Sequence, residues 1–81
     1  RLRIGVHTGD LQLHNGADGV GSTISHTERI RDLARGGQTV LSGVTEALLA
    51  DRLPDGVWVT ELGSYPLRGV ARPDRVVQLC H

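Results

Sequence analysis

Four histidines, His7, His14, His26 and His81, are the side chains of this chain most suited to metal or acid–base chemistry. His7 and His14 are separated by a turn, His26 lies in a helical pattern and His81 is terminal. None falls at a ligand spacing with a cysteine or a second histidine, so the sequence predicts no metal site among them. A Ser/His/Asp triad has no support either, because no G-x-S-x-G nucleophile elbow is present. Gly16, Gly19 and Gly21 do not follow the G-x-G-x-x-G dinucleotide spacing, and no strand-to-helix context precedes them.

A polar helix face carries more. Ser25 and Arg29 are four residues apart, so both rise from one side of a helix, and Asp18 falls in the loop just ahead of it. A carboxylate, a hydroxyl and a guanidinium can converge there. They offer an acceptor for an amine, a small polar group for a sugar and a cation for a phosphate at a helix N-terminus. The simpler reading of the same spacing is a solvated amphipathic face.

The elements that must position these groups follow from periodicity. Residues 1–8 alternate, Leu2, Ile4 and Val6 against Arg3, Gly5 and His7, which predicts a strand with one buried apolar face. A turn at residues 8–10 leads to a short second strand through Leu11 and Leu13, then to a loop rich in Asn-Gly and Asp-Gly. From Ser22 to Arg35 the period is helical, with Ile24, Thr27, Ile30 and Ala34 on one side and Ser22, Ser25, Arg29 and Asp32 on the other. Gly36 and Gly37 end that helix. Residues 38–41 read as a strand, Ser42 as the N-cap of a second helix to about Ala50, and residues 57–62 as a further strand. Gly63 and Ser64 are expected to turn the chain, with a short strand over 65–68 and a last one over 75–79. The order predicts an α+β domain, helices on one face of a mainly antiparallel sheet.

Composition narrows the function classes. Nine arginines balance nine acidic residues with no lysine, so there is no basic stripe for nucleic acid, and Trp58 and Tyr65 are the only aromatics available for base stacking. No apolar run reaches the length of a membrane helix and no signal-peptide pattern is present. Cys80 is the single cysteine, which excludes an internal disulfide and fits a reducing, cytoplasmic setting. With 81 residues and no initial Met, the chain reads as a piece of a longer cytosolic protein, marginally stable without a partner.

Four segments carry a family resemblance. RIGVHTGD, residues 3–10, resembles the R-I-G-I/V-H-T-G-E/D strand and turn of class III adenylyl and guanylyl cyclases. DGVGSTISHTERI, residues 18–30, is similar to that family's D-x-x-G-x-x-V-N-x-A-x-R-L/I element. GGQTVLSGVTEALL resembles its P-G-Q segment, and LGSYPLRGVARPDRVVQL resembles its L-G-x-x-x-L-K/R-G-V-x-x-P ending. The motifs occur in order over nearly the whole chain, and the ending looks most like bacterial cyclase domains that precede an ATPase and a LuxR-type DNA-binding domain.

The resemblance implies a ferredoxin-like class III cyclase half-domain, with residues 1–81 as the C-terminal part of one cyclase homology domain. It implies conversion of ATP to cyclic AMP and pyrophosphate in a site shared by two such domains, as a homodimer. Asp18 falls on the position for the adenine amine and Arg29 on that for the transition-state phosphate. Ser25 stands where the family has the ribose-contacting Asn, a departure that weakens the site. The two Asp residues that hold Mg2+ or Mn2+ in the family lie upstream of RIGVHTGD, so the cations of a complete domain would be bound outside this chain. The chain alone is therefore expected to be inactive. The alternative that Ser25 raises is a catalytically degenerate cyclase-like module that dimerises or binds nucleotide within a regulator.

Overall fold

The computed structural model describes residues 1–9, 18–68 and 70–81, the side chains of 18–22 aside. Six elements follow one another: β1 (Ile4–Val6), α1 (Asp18–Leu33), β2 (Thr39–Ser42), α2 (Gly43–Leu49), β3 (Trp58–Tyr65) and β4 (Asp74–Cys80). The strands form one mixed sheet in the order β1-β2-β4-β3. β1 runs parallel to β2, and the other two pairings are antiparallel. A parallel neighbour requires a crossover, and α1 lies in the connection from β1 to β2. The expected α+β class and the mainly antiparallel pairing are both found.

The core forms where α1 meets the sheet. Ile30 and Ala34 of α1 pack with Val40 of β2, Val76 of β4 and Leu67, and Leu33, Leu62 and Val70 close around them. Ile30, Val40 and Val76 are fully buried. The helical period places Ile30 and Ala34 on one stripe, and that stripe is the buried one, whereas Ile24 at its outer end is half exposed. After α1 the chain turns through Gly37 at φ 89°, a left-handed conformation that glycine adopts without a Cβ penalty. Ser42 then caps α2, its Oγ accepting from the Thr45 N–H at 3.5 Å. Arg75 of β4 reaches Glu46 of α2 at 2.9 Å and Glu61 of β3 at 2.8 Å, linking the sheet's last two strands to the short helix.

Three sequence expectations change. The apolar side of the first strand is not the packed one: Leu2, Ile4 and Val6 are 77%, 43% and 38% exposed. The opposite side faces α1, because Gly5 lets the helix backbone approach; a Cβ there would lie 2.5 Å from the Arg31 nitrogen. Secondly, Gly63 does not turn the chain. β3 continues through it to Tyr65 with a shift of register between Glu61 and Gly63, and Gly63 takes φ 111° in that irregularity. No strand forms over 66–68. Thirdly, Asp18 opens α1 as its first residue instead of preceding it in a loop. The predicted strand through Leu11 and Leu13 lies outside the described residues.

Candidate functional site

The polar face of α1 is as the periodicity requires. Asp18, Ser25 and Arg29 are seven and four residues apart on one continuous helix, so their backbone positions share a side over about 16 Å of axis. Ser25 is exposed and Arg29 half-buried, and the Arg29 guanidinium donates from Nη1 towards the Ser25 carbonyl at 3.5 Å. Arg29 also lines a cleft of about 350 Å3 with Asp32 and Leu33 of α1 and with Pro66, Leu67 and Arg68 after β3. Two guanidiniums on one cleft suit an anion. The structure thus keeps Ser25 and Arg29 on one turn, while Asp18 stands two turns nearer the helix start.

A second cluster is one the sequence did not suggest. His7 follows β1, His26 lies on α1 and Asp74 opens β4. The rings of His7 and His26 stack with centroids 3.8 Å apart and planes at 19°. Nε2 of His26 lies 2.6 Å from Oδ2 of Asp74, and both side chains are largely covered. On its other side His7 bonds through Nδ1 to the fully buried Ser42 hydroxyl at 2.8 Å. Ser42 Oγ is 3.1 Å from Thr45 Oγ1, which is 3.0 Å from Thr8 Oγ1. With the Thr45 N–H also donating to Ser42, a consistent arrangement has His7 Nδ1–H donating to Ser42 and the Ser42 O–H donating to Thr45. Burial first, and then the adjacent His26 ring, hold the His7 imidazole below its ordinary 6.5, against a weaker upward pull from the Asp74 carboxylate.

Ligand-bearing atoms of His7, His26 and Asp74 all lie within 4.8 Å of one another, the one grouping of three or more His, Cys, Asp or Glu side chains with that closeness among the described residues. Their positions along the chain, 7, 26 and 74, follow no ligand spacing because they come from three elements. His14 lies outside the described residues and His81 is exposed at the end of the chain. No described helix is long and apolar enough to cross a membrane.

No protein-family model matches the chain. An uncharacterised protein of Mycobacterium tuberculosis is 56% identical over 81 residues, all of this chain and 28% of that protein. A receptor-type adenylate cyclase of Trypanosoma equiperdum is 34% identical over 84 residues, which cover 98% of this chain and 18% of the cyclase. Among solved structures, an adenylate cyclase of Trypanosoma brucei in its monomeric state superposes with a TM-score of 0.70 at 34% identity, over 93% of this chain and 35% of that one. The chain therefore spans about a third or less of each of these proteins.

Proposed function

We propose that this chain, a class III cyclase half-domain by sequence and by fold, supplies the purine and phosphate contacts of an adenylate cyclase site completed by a second domain. In this reading Asp18 accepts from the adenine amine, Ser25 approaches the ribose through a water, and Arg29 neutralises charge that develops on the α-phosphate as the 3′-hydroxyl attacks it. The observation that carries the reading is the shared face of α1: the three residues aligned with the family's nucleotide contacts stand on one helix side, and Arg29 opens onto a cleft beside Arg68.

The divalent cations that the resemblance implies need a pair of carboxylates. The one close grouping of metal-ligating side chains among the described residues holds a single carboxylate, Asp74, and two histidines. That donor set does not fit the family's catalytic metals, which are assigned to residues outside this chain.

Ser25 favours a second reading. A hydroxyl is shorter than the carboxamide expected at that turn, and poor orientation of the ribose costs rate. A nucleotide-binding or dimerising module without turnover accommodates Ser25 directly.

Steady-state assays on the complete protein with ATP and Mn2+ separate the two. If the protein turns over ATP, Arg29→Ala is expected to lower kcat by the equivalent of about 2–4 kcal/mol with a much smaller change in KM, because the interaction belongs to the transition state. An active protein whose kcat ignores Arg29→Ala overturns the site assignment. A complete protein that binds ATP without forming cyclic AMP establishes the second reading.

A further inference from the structure

We propose that His7, His26 and Asp74 form a binding site for one divalent transition-metal ion of the zinc type, which pins α1 to the ends of β1 and β4. The proposal is independent of the cyclase reading and concerns a different set of side chains.

Three elements converge on one point. His7 directly follows β1, His26 lies a little over two turns along α1 from Asp18, and Asp74 takes the first position of β4. Two imidazole nitrogens and one carboxylate oxygen are the donors that borderline cations such as Zn2+ and Co2+ select, whereas Mg2+ and Ca2+ prefer oxygen alone. The ligand atoms lie within 4.8 Å of one another. A tetrahedral ion with bonds of about 2.0–2.2 Å holds its ligand atoms about 3.4 Å apart, so side-chain rotation is needed to bring the set to that spacing.

The present contacts are those a cation would replace. The 2.6 Å approach of His26 Nε2 to Asp74 Oδ2 holds a proton between two ligand atoms, and a divalent ion displaces it. Side-chain exposures of 20% for His26 and 16% for Asp74 leave access for an ion and for a water in the remaining position. The stack must open, because a metal lies in the plane of each imidazole it binds and the two planes are nearly parallel, at 19°. Turning the His26 ring about its Cβ–Cγ bond achieves this while His7 keeps its bond to Ser42.

Two further features prepare His7. In the arrangement described above, the Ser42 hydroxyl accepts a hydrogen bond from His7 Nδ1–H, which leaves the lone pair on Nε2, as outer partners of metal-bound histidines do. Gly9 is bare beside that nitrogen: a Cβ on Gly9 would stand 3.5 Å from Nε2. Ser42 and Thr45 are both buried, so this outer support is held rigidly.

The consequence is mechanical. His26 directly follows Ser25 and lies three residues before Arg29. An ion on His26 therefore fixes the segment of α1 that carries the polar face to two sheet strands.

The experiment uses the complete protein stripped with a chelator. Co2+ titration is expected to give ligand-field absorption bands that saturate, that Zn2+ abolishes by displacement, and that include one equivalent per chain owed to these residues. His26→Ala and Asp74→Asn should each weaken that equivalent by about tenfold or more, and His14→Ala and His81→Ala should leave it unchanged. Circular dichroism checks that each variant is folded. The wild-type protein supplies a readout that needs no variant: Zn2+ should shift the imidazole resonances of His7 and His26. Absence of saturable binding, binding that His26→Ala and Asp74→Asn leave intact, or shifts confined to His14 and His81 each overturn the proposal.

Discussion

Nε2 of His26 lies 2.6 Å from Oδ2 of Asp74, a bond between α1 and the first residue of β4 across 48 positions of sequence. It anchors the helix at the end of the sheet remote from the Gly37 turn, while Ile30 and Ala34 anchor it through the core. His7, stacked on His26, extends the anchor to β1 and through Ser42 to the cap of α2. One polar cluster thus joins the ends of three strands to both helices.

His7 makes this cluster pH-sensitive. Burial, and next the neighbouring His26, lower its pKa below 6.5 in the folded state, with Asp74 opposing. The native protein therefore binds fewer protons than the unfolded chain as pH falls into that region, so the stability contributed by neutral His7 is present above about pH 6.5 and lost below it. In chelator-treated protein the urea midpoint should fall between about pH 7.5 and pH 5, and His7→Gln should flatten that fall. An identical slope in wild type and variant would show that other groups carry the acid sensitivity.

Gly5 sets how closely α1 approaches the sheet. A Cβ at this position would lie 2.5 Å from the Arg31 nitrogen and 2.6 Å from its Cα, both backbone atoms that no rotamer change can move. Gly5→Ala must therefore displace the helix, at an expected cost of about 1–3 kcal/mol in denaturant unfolding. A neutral result would mean that α1 and β1 are not in backbone contact.

The elements were largely legible in the sequence, and the contacts between them were not. The apolar period of residues 22–35 identified Ile30 and Ala34, and both are core. Ser42 was legible as a cap because its hydroxyl acts locally. Local alternation misassigned β1: its side with Leu2, Ile4 and Val6 is the more apolar, yet Gly5 decides which side the helix can reach. Glycine also misled at Gly63, where a positive φ serves an irregularity within β3. The cluster of His7, His26 and Asp74 depends on register. Gly5 stands opposite Val40 and Ser42 opposite Val76, which carries His7, Ser42 and Asp74 to one face at one end of the sheet. No spacing along a single element records that. Of the polar face, the shared helix side of Ser25 and Arg29 was legible from their four-residue spacing, while the Arg68 side of the cleft comes from a distant loop.

Asp18 is the residue on which base selection should depend if the cyclase reading holds. A carboxylate accepts from the adenine amine but faces a carbonyl, another acceptor, on guanine. In the complete protein, Asp18→Ala should lower the ratio of ATP to GTP affinity by about tenfold while total triphosphate binding changes less. Competition binding measures this without requiring turnover. An unchanged ratio would leave Asp18 as the opening residue of α1, where an acidic side chain is favoured by the helix dipole alone.

Ser25→Asn tests the departure at the centre of the polar face. Ser25 is exposed, so the longer carboxamide meets no core atoms and the helix should tolerate it, at an expected stability change within about 0.5 kcal/mol. Its effect on chemistry depends on what the second domain provides. Where the rest of the site is competent, an Asn amide bonds the ribose directly instead of through a water, the 3′-hydroxyl is held closer to its line of attack, and kcat should rise with little change in KM. Arg29, one turn further along α1, supplies the control. The gain from Ser25→Asn should vanish in the Ser25→Asn, Arg29→Ala double variant, because orienting the ribose has no value when the charge on the phosphate is not met. Additive effects of the two substitutions would mean that they do not act on one bound nucleotide.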